Sequence, residues 1–120
     1  MINLKKNQLP EFLVKRYKDW KSKDYKKNQE LHTKLALDGQ KPKFMVISCC
    51  DSRVNPNLIF GFFVGDLFIY RNIANIVPAF NKNNTRDGIF SALEYAIKEL
   101  NINHIIILGH SECGGIQYAL

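Results

Sequence analysis

Two short stretches of this chain concentrate the side chains able to hold a soft metal ion. Cys49-Cys50-Asp51-Ser52-Arg53 follows the apolar run Phe44-Met45-Val46-Ile47, and His110-Ser111-Glu112-Cys113-Gly114-Gly115 follows Ile105-Ile106-Ile107-Leu108-Gly109. Two thiolates and an imidazole suit zinc, and three protein ligands leave a fourth position for water, the arrangement of a catalytic site. Adjacent residues of an extended segment point to opposite faces, so only one of Cys49 and Cys50 reaches such an ion. His110 and Cys113 are three apart, within the span of one tight turn, and Gly114 and Gly115 let the backbone approach closely. Asp51 and Arg53 share a face if extended, where the guanidinium lowers the carboxylate pKa and orients it through a bidentate fork. A carboxylate so held either aims solvent on the metal or ligates the metal itself. The plainer alternatives are a surface salt bridge worth about 0–1 kcal/mol and cysteines packed as small hydrophobes.

Both clusters must be carried to one place, and a parallel sheet does this by putting the ends of its strands at one edge. Residues 43–48 and 66–70 read as strands, and 103–108 as a third, apolar enough to be central. Ile89, Phe90, Leu93, Ala96, Ile97 and Leu100 fall at helical spacing, which predicts an amphipathic helix over 85–100 with Asn84 as its N-cap. Strand, crossover helix and strand form the βαβ unit of a parallel α/β sheet with flanking helices. Ligands of such sheets bind outside the carboxyl ends of the strands, where both clusters lie. Ahead of the sheet, residues 10–22 and 25–38 read as two helices, with Pro10 in the first turn and Gly39 as the stop. The expected organisation is one domain, an N-terminal helical arm over 1–42 joined to a zinc-binding α/β core over 43–120.

Composition narrows the classes. Of 120 residues, 46% are hydrophobic and 23% charged, a globular balance. No apolar run has the length of a membrane span, and no apolar stretch of signal length follows Met1. Three cysteines without a secretory signal read as ligands in a reducing setting, and the expected compartment is cytoplasmic. Residues 1–43 hold 12 Lys or Arg against 5 acids, and residues 44–120 hold 5 against 6. Lysines interleaved with Phe12, Leu13, Tyr17, Trp20, Leu31, Leu35 and Leu37 read as the solvated face of packing helices rather than as a nucleic-acid arm. Gly109-His110-Ser111-Glu112-Cys113 lacks the last glycine of a nucleophile elbow, and the absence of C-x-x-C makes a thioredoxin-like activity a poor match.

The motifs together resemble the β-class carbonic anhydrases: C-x-D-x-R at Cys49, Asp51 and Arg53, then Gly65-Asp66-Leu67-Phe68-Ile69-Tyr70-Arg71-Asn72-Ile73-Ala74-Asn75, then H-x-x-C-G-G at His110 to Gly115. The likeness covers roughly residues 30–116. It implies reversible hydration of CO2 to bicarbonate and a proton, with zinc on Cys49, His110 and Cys113. The fourth ligand would be solvent in an open form and Asp51 in a closed form, with Arg53 drawing Asp51 away on opening. By the same resemblance Gln40 would offer an amide to the substrate and the Gly114 N–H would contact a substrate oxygen. Phe68, Ile73 and Tyr95 would line an apolar CO2 pocket completed across a homodimer or higher homo-oligomer. Two thiolates put more negative charge on the ion than three imidazoles do, so activity is expected to rise with pH through the weakly alkaline range. Some members carry a second, non-catalytic bicarbonate site built on a Trp and a Gly. Val46 and Ser48 stand in those places here, which resembles the non-allosteric type.

The family's catalytic domain is longer than this chain, and the resemblance implies further helices and strands beyond three. The sequence therefore reads as C-terminally truncated, with an open sheet edge and an uncovered apolar face. Two functions remain open at this point: a zinc hydratase, or a non-catalytic zinc-binding subunit or fragment.

Overall fold

A computed structural model describes residues 8–61, 63–83 and 87–119. The chain divides into two compact units, Met1–Gly39 and Gln40–Leu120.

In the first unit, helix α1 spans Glu11–Trp20, a π-helical turn occupies Lys21–Tyr25, and helix α2 spans Gln29–Asp38. Pro10 is the N-cap of α1 rather than its first helical residue, and its carbonyl accepts from Leu13 and Val14. The break between the helices falls at Asn28, later than the expected 22–25. There the Asn28 side chain donates to the Asp24 carbonyl at 3.0 Å, drawing the chain out of the helical path. Gly39, at φ 82, stops α2 as expected. Neither helix buries a residue, so apolar spacing here forms no core. What it forms is a small aromatic cluster. The Trp20 and Tyr25 rings lie 5.3 Å apart and Tyr25 and His32 4.8 Å apart, with Lys21 Nζ 4.0 Å from the Tyr25 centroid.

The second unit is a parallel three-stranded sheet in the order β2-β1-β3, with β1 at Phe44–Cys49, β2 at Leu67–Asn72 and β3 at Ile105–Leu108. Helix α3 (Pro56–Phe60) joins β1 to β2, α4 (Gly88–Lys98) joins β2 to β3, and α5 (Gly114–Ala119) follows β3. Asn55 caps α3 by accepting from the Asn57 N–H, Pro56 takes the first turn, and Gly61 at φ 64 ends it. Helix α4 begins at Gly88 with Asp87 as N-cap, later than the expected 85. The expected cap Asn84 and residues 85–86 lie outside the described residues.

β1 is buried from Met45 to Cys49. Met45 and Ile47 pack with Ile89, Ala96 and Ile102, and Phe68, Tyr70, Phe90 and Leu93 close the cluster. The register aligns Met45 with Phe68 and Ile105, and Ile47 with Tyr70 and Ile107, so these residues share one face of the sheet. α4 covers that face over β2 and β1. Ile105 and Ile107 stay 42% and 58% exposed.

The expectation that residues 103–108 form the central strand is thereby corrected. β1 is central and β3 is an edge strand of this sheet. Continuous apolarity reports what a strand's faces require, and it is blind to how many neighbours its edges have.

Candidate metal centre

The pairing of Ser48 with Leu108 sets Cys49 beside Gly109, so the last residue of β1 and the loop after β3 meet at one sheet edge. Cys49 and Cys113 are both buried, and their sulfurs lie 3.9 Å apart. Two sulfurs at about 2.3 Å from one tetrahedral ion are about 3.8 Å apart, so the pair needs almost no adjustment to share zinc. His110 completes the set, with one donor atom from each of the three residues within 4.8 Å of the others. Cys50 is exposed and is not part of this set.

The histidine is prepared for a ligand. Its Nδ1 lies 2.9 Å from the Ser111 carbonyl, which only accepts, so Nδ1 carries the hydrogen and the Nε2 lone pair faces the sulfurs. Nε2 is buried and has no hydrogen-bond partner among the described residues. A buried nitrogen left without a partner is costly, and a soft cation between it and the two sulfurs removes that cost. The donor set therefore fits zinc.

Charge within the cluster is redistributed. Cys49 is pulled down to about 7 by the Asp51 backbone N–H first, then by His110, with the Ala74 N–H and Cys113 adding to it. The Ala74 N–H donates to Cys49 Sγ at 3.3 Å. The His110 pKa is raised, chiefly by the neighbouring Cys49 thiolate. Zinc binding must displace any proton held by this pair.

Asp51 lies against the cluster, its Oδ2 3.9 Å from His110 Nε2. Arg53 holds both of its oxygens. The Arg53 backbone N–H and Nε donate to Oδ1 at 2.8 and 3.0 Å, and Nη2 donates to Oδ2 at 2.8 Å. The Arg53 side chain, then its backbone N–H, keeps Asp51 well below the usual carboxylate range, while Asp51 raises Arg53 in return. Nη2 of Arg53 also donates to the Glu112 carbonyl at 3.0 Å, tying the first ligand loop to the second.

The remaining candidates divide. Ile73 lies in the 3-10 turn Ile73–Asn75, close to Gly115 in the first turn of α5. A Cβ on Gly115 would come within 2.6 Å of Ile73 Cγ2 and 3.0 Å of Ala74 Cβ, so the second glycine is required by close approach. Gly114 begins α5, and a Cβ there would meet nothing within 4 Å. Phe68 packs against the cluster under α4, and its ring pairs at 5.9 Å between centroids with the exposed Tyr95 of that helix. That cluster is distinct from the one containing Cys49, Val54, Ala74 and Cys113. Gln40 is exposed ahead of β1. Within one chain, Phe68 packs against a different cluster from the one that holds the sulfurs, and Gln40 precedes the opposite end of β1.

Motif reading gave no role to Ala74, whose N–H reaches Cys49, or to Glu112, whose carbonyl receives Arg53. Both adopt left-handed backbone, at φ 67 and 51. Neither residue type signals that conformation, which is uncommon outside glycine. The guanidinium of Arg71 on β2 reaches the same loop.

Comparison with known proteins agrees with this geometry. The family model for carbonic anhydrase matches residues 44–120. Beta carbonic anhydrase 3 of Arabidopsis thaliana is 47% identical over 98 residues, covering 82% of this chain and 37% of that protein. Beta carbonic anhydrase 5, chloroplastic, of the same plant is 49% identical over 86 residues, covering 72% of this chain and 28% of its own length. Among solved structures, the β-carbonic anhydrase CcaA superposes with a TM-score of 0.82 at 40% identity, covering 88% of this chain and 46% of that one. One from a study of two tetrameric β-carbonic anhydrases of Sordaria macrospora gives 0.75 at 37% identity, covering 90% of this chain and 52% of its own. The chain belongs to the β-carbonic anhydrase family and spans about half or less of the relatives it matches.

These relatives correct one expectation. A cytoplasmic setting was inferred from the cysteines, yet one relative is chloroplastic. Ligand thiols select a reducing compartment and do not single out the cytoplasm among such compartments. Among the described residues no helix is long and apolar enough to cross a membrane.

Proposed function

We propose that this protein interconverts CO2 and bicarbonate, with Zn2+ held by Cys49, His110 and Cys113. The observation that carries the reading is the set of three donor atoms within 4.8 Å, with a locked carboxylate beside them. Zinc at such a site is a Lewis acid that makes water nucleophilic near neutral pH.

The chain's own residues supply orientation. Asp51 stays ionised under the influence of Arg53, so it serves as a hydrogen-bond acceptor throughout the working range, and the proton released on hydration passes to solvent buffer. Its Oδ2, on the side of the cluster, accepts a hydrogen bond from the attacking water and so aims the water's lone pair at the carbon of CO2. Arg53 occupies both carboxylate oxygens, which favours this orienting role over ligation of the metal by Asp51. His110 keeps its ring fixed through Nδ1. The N–H of Gly114 and the amide of Gln40 serve substrate oxygens, and Phe68, Ile73 and Tyr95 give CO2 an apolar surface. Phe68 and Gln40 lie away from the sulfurs within one chain, which supports a homo-oligomer whose second copy completes the pocket. The tetrameric Sordaria macrospora enzymes point the same way.

Stopped-flow CO2 hydration with metal analysis tests the reading. The zinc-loaded chain is expected to turn over, and Asp51→Ala to lose at least about tenfold in kcat while keeping its zinc, the cost of losing the group that orients the attacking water. One zinc per chain without turnover would remove hydration and leave a metal-binding subunit.

A further inference from the structure

A single guanidinium on the neighbouring strand holds the main chain of the first ligand loop. Arg71 Nε donates to the Cys49 carbonyl at 2.8 Å, and its Nη2 donates to the carbonyls of Asp51 at 2.8 Å and Val54 at 2.7 Å. The three acceptors lie 17 to 22 residues away in sequence. They bracket the turn that carries one sulfur ligand and the carboxylate. Among the described residues no carboxylate pairs with Arg71, so its charge is directed at these carbonyls. The pairing of Ser48 with Arg71 places the guanidinium's strand position one rung before the turn begins. The Cys50 N–H donates to the Asn72 carbonyl at 2.8 Å, extending the attachment to β2 by one more bond.

We infer that Arg71 is a positioning residue for metal binding: its fork onto the carbonyls of Cys49, Asp51 and Val54 fixes the turn that presents the Cys49 sulfur to the ion. This rests on the reading of Cys49, His110 and Cys113 as metal ligands. The geometry demands arginine. Three carbonyls converge on two nitrogens of one rigid plane, and a lysine offers a single nitrogen on a flexible stem. Without the fork the turn loses three bonds to β2 and keeps the one from the Cys50 N–H to the Asn72 carbonyl, the Arg53 bond to the Glu112 carbonyl, and local bonds such as Val54 N–H to the Asp51 carbonyl at 3.2 Å. The Cys49 sulfur then samples positions unsuited to a shared ion. Changes to groups that orient metal ligands typically cost about 10–100-fold in affinity.

The test is zinc affinity of the full chain, measured by competition with a chromogenic chelator, alongside the thermal midpoint. Arg71→Met is expected to weaken zinc binding by about 10–100-fold, and Arg71→Lys to recover less than half of that loss on a logarithmic scale. Ile102→Ala is the control, because Ile102 is buried in the cluster under α4, away from the sulfurs. It lowers the midpoint through cavity formation, and its zinc affinity is expected to stay within about threefold of the parent. Parent-like affinity in Arg71→Met, or an equal loss in Ile102→Ala, overturns the inference. If Arg71→Met does not fold, Arg71→Lys decides by the same criterion, with parent-like affinity again overturning it. A parent chain that binds no zinc overturns the ligand reading as well, whereas a parent that binds zinc beside unaffected Arg71 variants overturns only the role of Arg71.

Discussion

The two strands that deliver the proposed metal ligands differ in almost every respect except where they end. β1 has a neighbour on each side and is buried along nearly its whole length. β3 has one neighbour and leaves Ile105 and Ile107 open to solvent. The loop after β1 is held from outside by Arg71, while Arg53 holds Asp51 from within the loop and crosses to Glu112. The loop after β3 is held mostly by itself, through His110 Nδ1 to the Ser111 carbonyl and Gln117 to Glu112 at 3.1 Å. A metal bridging the two joins a supported loop to a less supported one. It thus adds most to order on the β3 side.

The largest effect should ignore that asymmetry. Cys49→Ser and Cys113→Ser each remove one of two thiolates, and zinc does not distinguish which loop the sulfur came from. Both are expected to weaken binding by more than the about 100-fold that outer groups cost, taking the zinc content of the purified chain close to zero by elemental analysis. A variant at either position that kept full zinc would show that the two sulfurs do not share one ion.

The next effect should display the asymmetry. Ile47 and Ile107 face each other on one rung of the sheet, 1% and 58% exposed. Ile47→Ala is expected to cost about 2–5 kcal/mol, and Ile107→Ala no more than about 0.5 kcal/mol. The readout is the urea midpoint at constant slope. Equal losses would mean that β3 is covered in solution, as it would be in an assembly.

That rung also shows how far residue types carry. Both isoleucines announce a strand with apolar faces, and the run after each strand announces its ligands, so β1, β3 and the Cys-His-Cys set are legible. The edge position of β3 is not, because hydrogen-bonding neighbours are a property of topology. The support of the first loop is equally hidden. Arg71 is legible as a family residue, yet its bonds go to carbonyls, which every residue has, and only the dihedral angles of the turn aim them at it. The left-handed Ala74 and Glu112 belong to the same class. Their conformations are set by what their N–H and carbonyl groups reach, and the side chains give no sign of it. Pro10 and Gly39 mark the ends of the helical stretch over residues 10–38, while the apolar residues interleaved with its lysines leave no described residue of either helix buried.

The smallest effect is the response of the metal-free loops to pH, where the two sides should move in opposite directions. On the β1 side, Asp51 is held below the ordinary carboxylate value of 3.8 and Cys49 is lowered from 9.0 to about 7. A lowered pKa stabilises the fold above the group's ordinary value, and that contribution is lost as pH falls through the folded value. On the β3 side, His110 is raised from 6.5, so its contribution is present below that value and lost as pH rises through the folded one. Acid therefore loosens the β1 loop and alkali the β3 loop. Asp51→Asn isolates one arm. Metal-free Asp51→Asn is expected to have a lower urea midpoint than the parent near pH 5, and the gap should narrow as pH falls below the ordinary carboxylate value of 3.8, where the unfolded parent takes up a proton that the folded one does not. Salt should shrink the gap as well, since the Arg53 side chain is 60% exposed and the pair is screened. A gap that is constant with pH would mean that Asn keeps the loop through its hydrogen bonds alone, and that charge has no part in holding the supported side of the site.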